Sequence, residues 1–156
     1  MEIRDAQPED YESLIAQVDE WWGGRRMRSM LPRLFFEHFA DTSLVAVDSG
    51  RVIGFLCGFL SQSKANESYI HFVGVDPMYR GRGIGRRLYE RFLAVAERHG
   101  RDTIRCVTSP VNKASIAFHT RMGFEIERGN GVVDGVQVDK DHDGPGEDRV
   151  LFAKKI

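Results

Sequence analysis

A mixed α/β (α+β) fold, with helices laid on the faces of a central sheet, is what the sequence predicts, on three observations. Apolar residues change period along the chain, with β-rich runs at 44–47, 52–60 and 69–75 and helical stripes around 14–18, 29–39 and 84–96. Strand-like segments precede, separate and follow the helical ones, which excludes an all-helical or all-strand layer. At 156 residues, 42% hydrophobic and 29% charged, the chain has the size and composition of one ordinary folded domain, assigned to 1–156.

The elements follow in order. Residues 3–6 form a short strand, and Pro8 suits the first turn of a helix carrying Leu14, Ile15 and Val18 on one side. Gly23 and Gly24 end it, and a second helical stretch over 29–39 places Leu31, Leu34, Phe35 and Phe39 on its apolar side. Residues 44–47 and 52–60 flank the turn Asp48-Ser49-Gly50 and form a hairpin. A strand over 69–75 leads into a helix marked by Ile84, Leu88, Phe92, Val95 and Ala96, with Gly100 as its stop. A strand over 103–107, a shorter helix over 112–122 closed by Gly123, and a strand from Phe124 follow. The Gly- and Asp-rich stretch 129–146 is a long excursion or a mobile hairpin, and 149–153 is the last strand.

Composition narrows the function. Twenty-two basic and 23 acidic residues leave a net charge of −1, which argues against a dedicated nucleic-acid or anionic-membrane binder. Two cysteines, Cys57 and Cys106, make neither a disulfide scaffold nor a zinc site and read as buried reduced thiols. The Asp spacing of 139–148 does not match a calcium loop, so no metal is expected. A polar start and an apolar run no longer than 52–60 point to a cytoplasmic protein.

The chemistry concentrates in 73–86, a strand, a tight turn and a glycine-rich helix entry. Free N–H groups and a partial positive charge at a helix start suit a phosphate, and glycines allow backbone to approach it. Arg80, Arg82 and Arg86 add charge-assisted donors. A Walker loop would need Lys-Ser/Thr where Arg86-Arg87 stands, and the dinucleotide fingerprint needs a wider final gap than Gly81-x-Gly83-x-Gly85. Arg/Gln-x-x-Gly-x-Gly/Ala, met by Arg80, Gly83 and Gly85, fits.

That pattern resembles the pyrophosphate loop of the GCN5-related N-acetyltransferase (GNAT) superfamily. Residues 112–124 resemble the family's second segment, Asn-x-x-(Ala/Ser)-x-x-Phe-Tyr-x-x-x-Gly-Phe, one helix and one strand downstream. Ile3-Arg4-x-Ala6 with Asp10, and the hairpin, resemble its first half, so the likeness covers about 2–128 and the closing strand. It implies a mostly antiparallel sheet of about six or seven strands flanked by about four helices, with strands 69–75 and 103–107 splayed around acetyl-CoA. The cofactor would be held by Val73, Gly74, Val75, Arg80, Gly81, Arg82, Gly83, Ile84, Gly85, Arg86, Asn112 and Phe118, with Gly74 marking a bulge that opens the sheet. A backbone N–H there would polarise the thioester carbonyl. The amine attacks directly, so neither cysteine serves as nucleophile.

His119 stands where the family's proton-donating Tyr is expected, and is the one catalytic assignment. His71 and Glu67 are candidate bases, with the carboxylates of Asp134, Asp139, Asp141, Asp143, Glu147 and Asp148 as further ones. Trp21, Trp22, His71, Glu147 and Asp148 are the expected acceptor contacts. Arg25, Arg26, Arg28 and Arg33 oppose the acidic loop, so the rim could favour a cationic or an acidic acceptor. The expected activity is acetyl transfer to a primary amine of a small molecule, with no nucleic acid or membrane partner. A homodimer, a silent CoA-binding or sensor module, a protein or peptide N-acetyltransferase and a plain nucleotide-binding domain stay open as alternatives.

Overall fold

In the computed structural model, which describes residues 1–156, two apolar layers cover the faces of a seven-stranded sheet. Strand β1 (Glu2–Asp5) pairs antiparallel with β2 (Leu44–Asp48), and β2 with β3 (Arg51–Leu60) through the expected hairpin. Between β1 and β2 in the chain lies α1 (Tyr11–Trp21), which buries Leu14, Val18 and Trp21. Its start is fixed by Asp10, which accepts two bonds of 2.9 Å from the Arg4 guanidinium and one of 2.8 Å from the Gln7 N–H. The second helical stretch is shorter than its pattern suggests. It resolves into a 3-10 turn, Arg28–Met30, and a single α-turn, α2 (Leu34–Glu37). Pro32 separates the two, since it lacks an N–H and disfavours a helical residue before it.

Strand β4 (Glu67–Val75) continues the antiparallel half, and α3 (Ile84–Arg98) crosses over to β5 (Thr103–Thr108), which runs parallel to β4. Helix α4 (Lys113–Arg121) follows, then β6 (Glu125–Ile126), the small hairpin β7 (Gly131–Val133) and β8 (Val136–Val138), and β9 (Val150–Lys155). The sheet order is β1-β2-β3-β4-β5-β9-β6, so the glycine-rich excursion forms a separate two-stranded ribbon. Helices α1 and α2 cover one face with Trp21, Phe35, Phe36, Phe55 and Phe72; α3 and α4 cover the other with Leu88, Phe92, Ile104 and Phe152. Glycines let α3 sit close: a Cβ at Gly58 would fall 2.4 Å from the Phe92 ring. No helix is long and apolar enough to cross a membrane.

Candidate active site

The parallel pair β4–β5 holds only three rungs, Glu67↔Thr103, Ser68↔Ile104 and Tyr69↔Arg105. Both strands continue, so residues 70–75 of β4 and 106–108 of β5 diverge into an open seam. The register slip that accompanies this is at His71, which lies unpaired between Phe72↔Cys57 and Ile70↔Gly58. The bulge is therefore three residues before Gly74. Gly74 answers a different need, because a Cβ there would fall 2.6 Å from both Phe55 and Trp22.

Backbone alternation aims β4 into the seam. The Asp76 N–H donates to Ile53 O (2.9 Å), on the β3 side. Groups alternate along an antiparallel strand, so the N–H and C=O of Val73 and Val75 face the opposite edge, toward β5. Asp76, 3% exposed, also accepts from the Met78 N–H (2.9 Å) and from Arg51 (2.8 Å), which anchors the turn leaving the strand.

The glycine-rich turn then presents its amides. Gly81 and Gly83 take φ of +79° and +77°, open to glycine and strained for other residues. The first α3 bond is Arg87 N–H to Gly83 O, and the N–H groups of residues 81–86 have no acceptor in the protein. Gly85 faces α4, with Phe118 3.5 Å from where its Cβ would be, an ordinary contact distance. Arg80 turns inward, its guanidinium bonding Val75 O (3.2 Å) and Trp21 O (2.6 Å), while Arg82 lies over the Tyr79 ring and Arg86 is exposed. Asn112 caps α4 by accepting the Ser115 N–H (3.2 Å). Amides at a helix start continued by a seam with unpaired strand edges fit a diphosphate carrying an extended amide-rich arm.

His71 lies on the α1–α2 face at the bulge. Its ring stacks on Phe35 (4.9 Å), and Nε2 is 2.8 Å from Met30 O. A carbonyl only accepts, so Nε2 carries the proton and Nδ1 keeps its lone pair. Burial pushes its pKa below 6.5, against the opposing Met30 bond, so the ring is neutral at pH 7. Beside it, Phe39, Phe59 and Tyr69 stack in turn at 5.4 Å steps, and burial pushes the Tyr69 phenol up to about 12. Glu67 is not a free base: Arg105 bonds it at 2.9 Å and also bonds Glu127.

The acidic loop is engaged with itself. Arg149 holds Asp143 (2.8 Å) and Glu147 (3.1 Å), Asp148 accepts from the Asp141 N–H (2.9 Å), and His142 meets Asp139 (2.8 Å). Asp134 pairs with Lys113 at 3.4 Å on the separate ribbon. Glu147 and Asp148 thus shape the loop. Trp21 is a core residue, 4% exposed and stacked on Phe55. Trp22 is half-buried against Phe72 and Gly74, beside the strand that edges the seam.

On the opposite face His119 is 7% exposed and stacked on Phe152 (4.8 Å). Its Nδ1 donates to Ser115 O (2.7 Å), so Nε2 accepts from the Tyr89 hydroxyl (2.7 Å). Burial lowers its pKa, against that carbonyl bond. Both of its nitrogens are therefore engaged. Tyr89, absent from the expected site, carried no motif and sits at an apolar position of the α3 stripe; only its pairing with His119 marks it. Burial also pushes both cysteine thiols far above their ordinary range, which makes them poor nucleophiles.

The model of the acetyltransferase (GNAT) family matches residues 2–124. An L-2,4-diaminobutyric acid acetyltransferase of Nocardia farcinica is 36% identical over 85 residues, covering 54% of this chain and 44% of its own. The chain thus spans less than half the length of that curated relative. Among solved structures, an acetyltransferase of this family from Desulfovibrio desulfuricans superposes with a TM-score of 0.80 at 18% identity, covering 99% of this chain and 98% of that one. A ribosomal-protein-alanine N-acetyltransferase from Brucella melitensis gives 0.74 at 20% identity, with 100% of each chain covered.

Proposed function

The chain belongs to the acetyltransferase (GNAT) family, and on that premise we propose that it transfers an acetyl group from acetyl-CoA to the primary amine of a small molecule by direct attack. One observation carries the reading: the acceptor-free amides of residues 81–86 open straight into the seam between β4 and β5. They would bind the diphosphate, the edge groups of Val73 and the edge N–H of Val75 would align the arm, and an edge N–H would polarise the thioester carbonyl; the Val75 carbonyl is held by Arg80. Asn112 and Phe118 would flank the arm from α4. The relative named for a diaminobutyric acid acceptor favours a small molecule over a peptide.

The amine needs more help than the sulfur. Deprotonating a lysine-like ammonium at pH 7 costs about 4.6 kcal/mol, whereas a thiolate with a cysteine-like pKa is about 2 kcal/mol above its thiol. His71 has the geometry to supply that help. Its Nδ1 lone pair is free, its tautomer is fixed by Met30, and its lowered pKa keeps it neutral. It accepts the ammonium proton directly or through one water.

Thiol release from acetyl-CoA, followed over polyamines, aminoglycosides, amino acids and peptides, tests the activity. No thiol release with any acceptor, together with no calorimetric heat on adding acetyl-CoA, would overturn it. For His71 the expected result is an acid limb of kcat/KM below pH 6.5, with activity lost as pH falls through the His71 pKa. His71→Gln, which keeps a donor for Met30, should lower kcat about 10²-fold and remove that limb. An unchanged acid limb in the variant would exclude His71 as the base.

A further inference from the structure

Tyr89 and His119 form a buried polar pair inside an otherwise apolar layer. The Tyr89 ring packs edge-on against Phe118 (5.1 Å), His119 and Phe124. Its hydroxyl has one protein partner, His119 Nε2 at 2.7 Å. Replacing both members of such a pair by apolar side chains of similar shape is close to neutral for stability, so the pair does little for the fold.

Its position is informative. Cys106 is the first residue of β5 beyond the last rung with β4, so it marks the apex of the seam on the α3–α4 face. Tyr89 and Cys106 belong to one buried cluster, and His119, bonded to the Tyr89 hydroxyl, stacks on Phe152, the register partner of Cys106 on β9. One turn earlier on the same helix, Gly85 borders Phe118 and Val75 at the seam's outer end. The side of α3 that begins at the diphosphate amides therefore carries the Tyr89 hydroxyl toward the apex. His71 meets the seam at the bulge from the other face.

We propose that Tyr89 is the acid of the reaction, giving its hydroxyl proton to the departing CoA sulfur, and that His119 is its positioning residue. This rests on the acetyl-transfer reading above. As the carbon–sulfur bond breaks, its electron pair stays on sulfur. The Tyr89 hydroxyl turns from His119 Nε2 to the sulfur and transfers its proton, and the phenolate recovers a proton from solvent as the thiol leaves. The ammonium has meanwhile lost two protons, one to His71 before attack and one from the new amide nitrogen, both passed on to solvent, so the net reaction releases one.

The test is kinetic. Tyr89→Phe should lower kcat about 10²-fold, the low end for loss of a general acid, with the acetyl-CoA KM within twofold. Adding His119→Tyr to that variant places a phenol on α4 beside the lost one, and should recover at least tenfold of kcat. His119→Phe should retain part of kcat and shift its alkaline limb, because the Tyr89 phenol loses its acceptor. Should Tyr89→Phe fail to fold, 3-fluorotyrosine at 89, which lowers the phenol pKa, should move the alkaline limb of kcat to lower pH. Full kcat in a folded Tyr89→Phe, or an unmoved limb with fluorotyrosine, overturns the proposal. Neither result touches the acetyl-transfer reading, which fails only if the unaltered protein shows no CoA binding and no turnover.

Discussion

Gly81→Val and Gly83→Val introduced together should weaken acetyl-CoA binding between 30-fold and 1000-fold in calorimetry, while the thermal midpoint stays within a few degrees. Both residues hold positive φ, and nothing lies within 4 Å of either virtual Cβ, so a side chain meets open space and the whole penalty is conformational. For an L-residue that penalty is about 1–2 kcal/mol at each position, or about 2–4 kcal/mol for both. The free protein escapes it, because the turn is exposed and its amides are not tied to the protein. Binding must restore the strained geometry to aim those amides, so the strain reappears as lost affinity at about 1.4 kcal/mol per tenfold. Gly100→Val is the control. Gly100 has a φ of +72° in equally open space at the far end of α3, and its variant should bind acetyl-CoA normally. Normal affinity in the double variant would mean that the turn does not hold the diphosphate.

Gly58→Val should lower the thermal midpoint by about 6–12 °C. A Cβ there would sit 2.4 Å from a Phe92 ring that is wholly buried. The strand has no room to withdraw, because Gly58 O accepts from Thr42 (2.7 Å) and Gly58 N–H donates to Ser43 (3.2 Å). Overpacking of this kind costs about 3 kcal/mol, and at this chain length each kcal/mol is about 2–4 °C. Phe92→Leu in the same chain should recover part of the loss, since the two sites share one space. A midpoint unchanged by Gly58→Val would show that α3 is not seated on β3 as described.

Much of this architecture was legible from local chemistry. The α3 helix announced itself through Ile84, Leu88 and Phe92, and the hairpin through Asp48-Ser49-Gly50, because periodicity and turn residues act over a few positions. The glycine-rich turn was legible for the same reason: its glycines and its helix start are neighbours in sequence. What could not be read depends on distant partners. The bonds that orient Arg80 come from afar: its guanidinium donates to carbonyls of Val75 and Trp21. The bulge belonged to His71, since register is set by β3 across the sheet, and Gly74 answered to Trp22 from α1. The stretch 29–39 showed a helical stripe, but Pro32 cut it and tertiary burial of Phe35 and Phe36 served as well without a long helix. Tyr89 carries no sequence signal at all, and only the fold, by setting α3 against α4, brings its hydroxyl to His119.

The position of β9 in the sheet order also governs assembly. It separates β5 from β6 and is the only neighbour of β6. On the ribosome, β5 and β6 emerge long before the strand that joins them. A nascent chain that has reached residue 126 can complete the antiparallel half, β1 to β4, and dock α3, but β5 still presents a bare edge with only three rungs on its other side. Such an edge invites pairing with another polypeptide. Its protection during synthesis therefore waits on the last strand in the sequence.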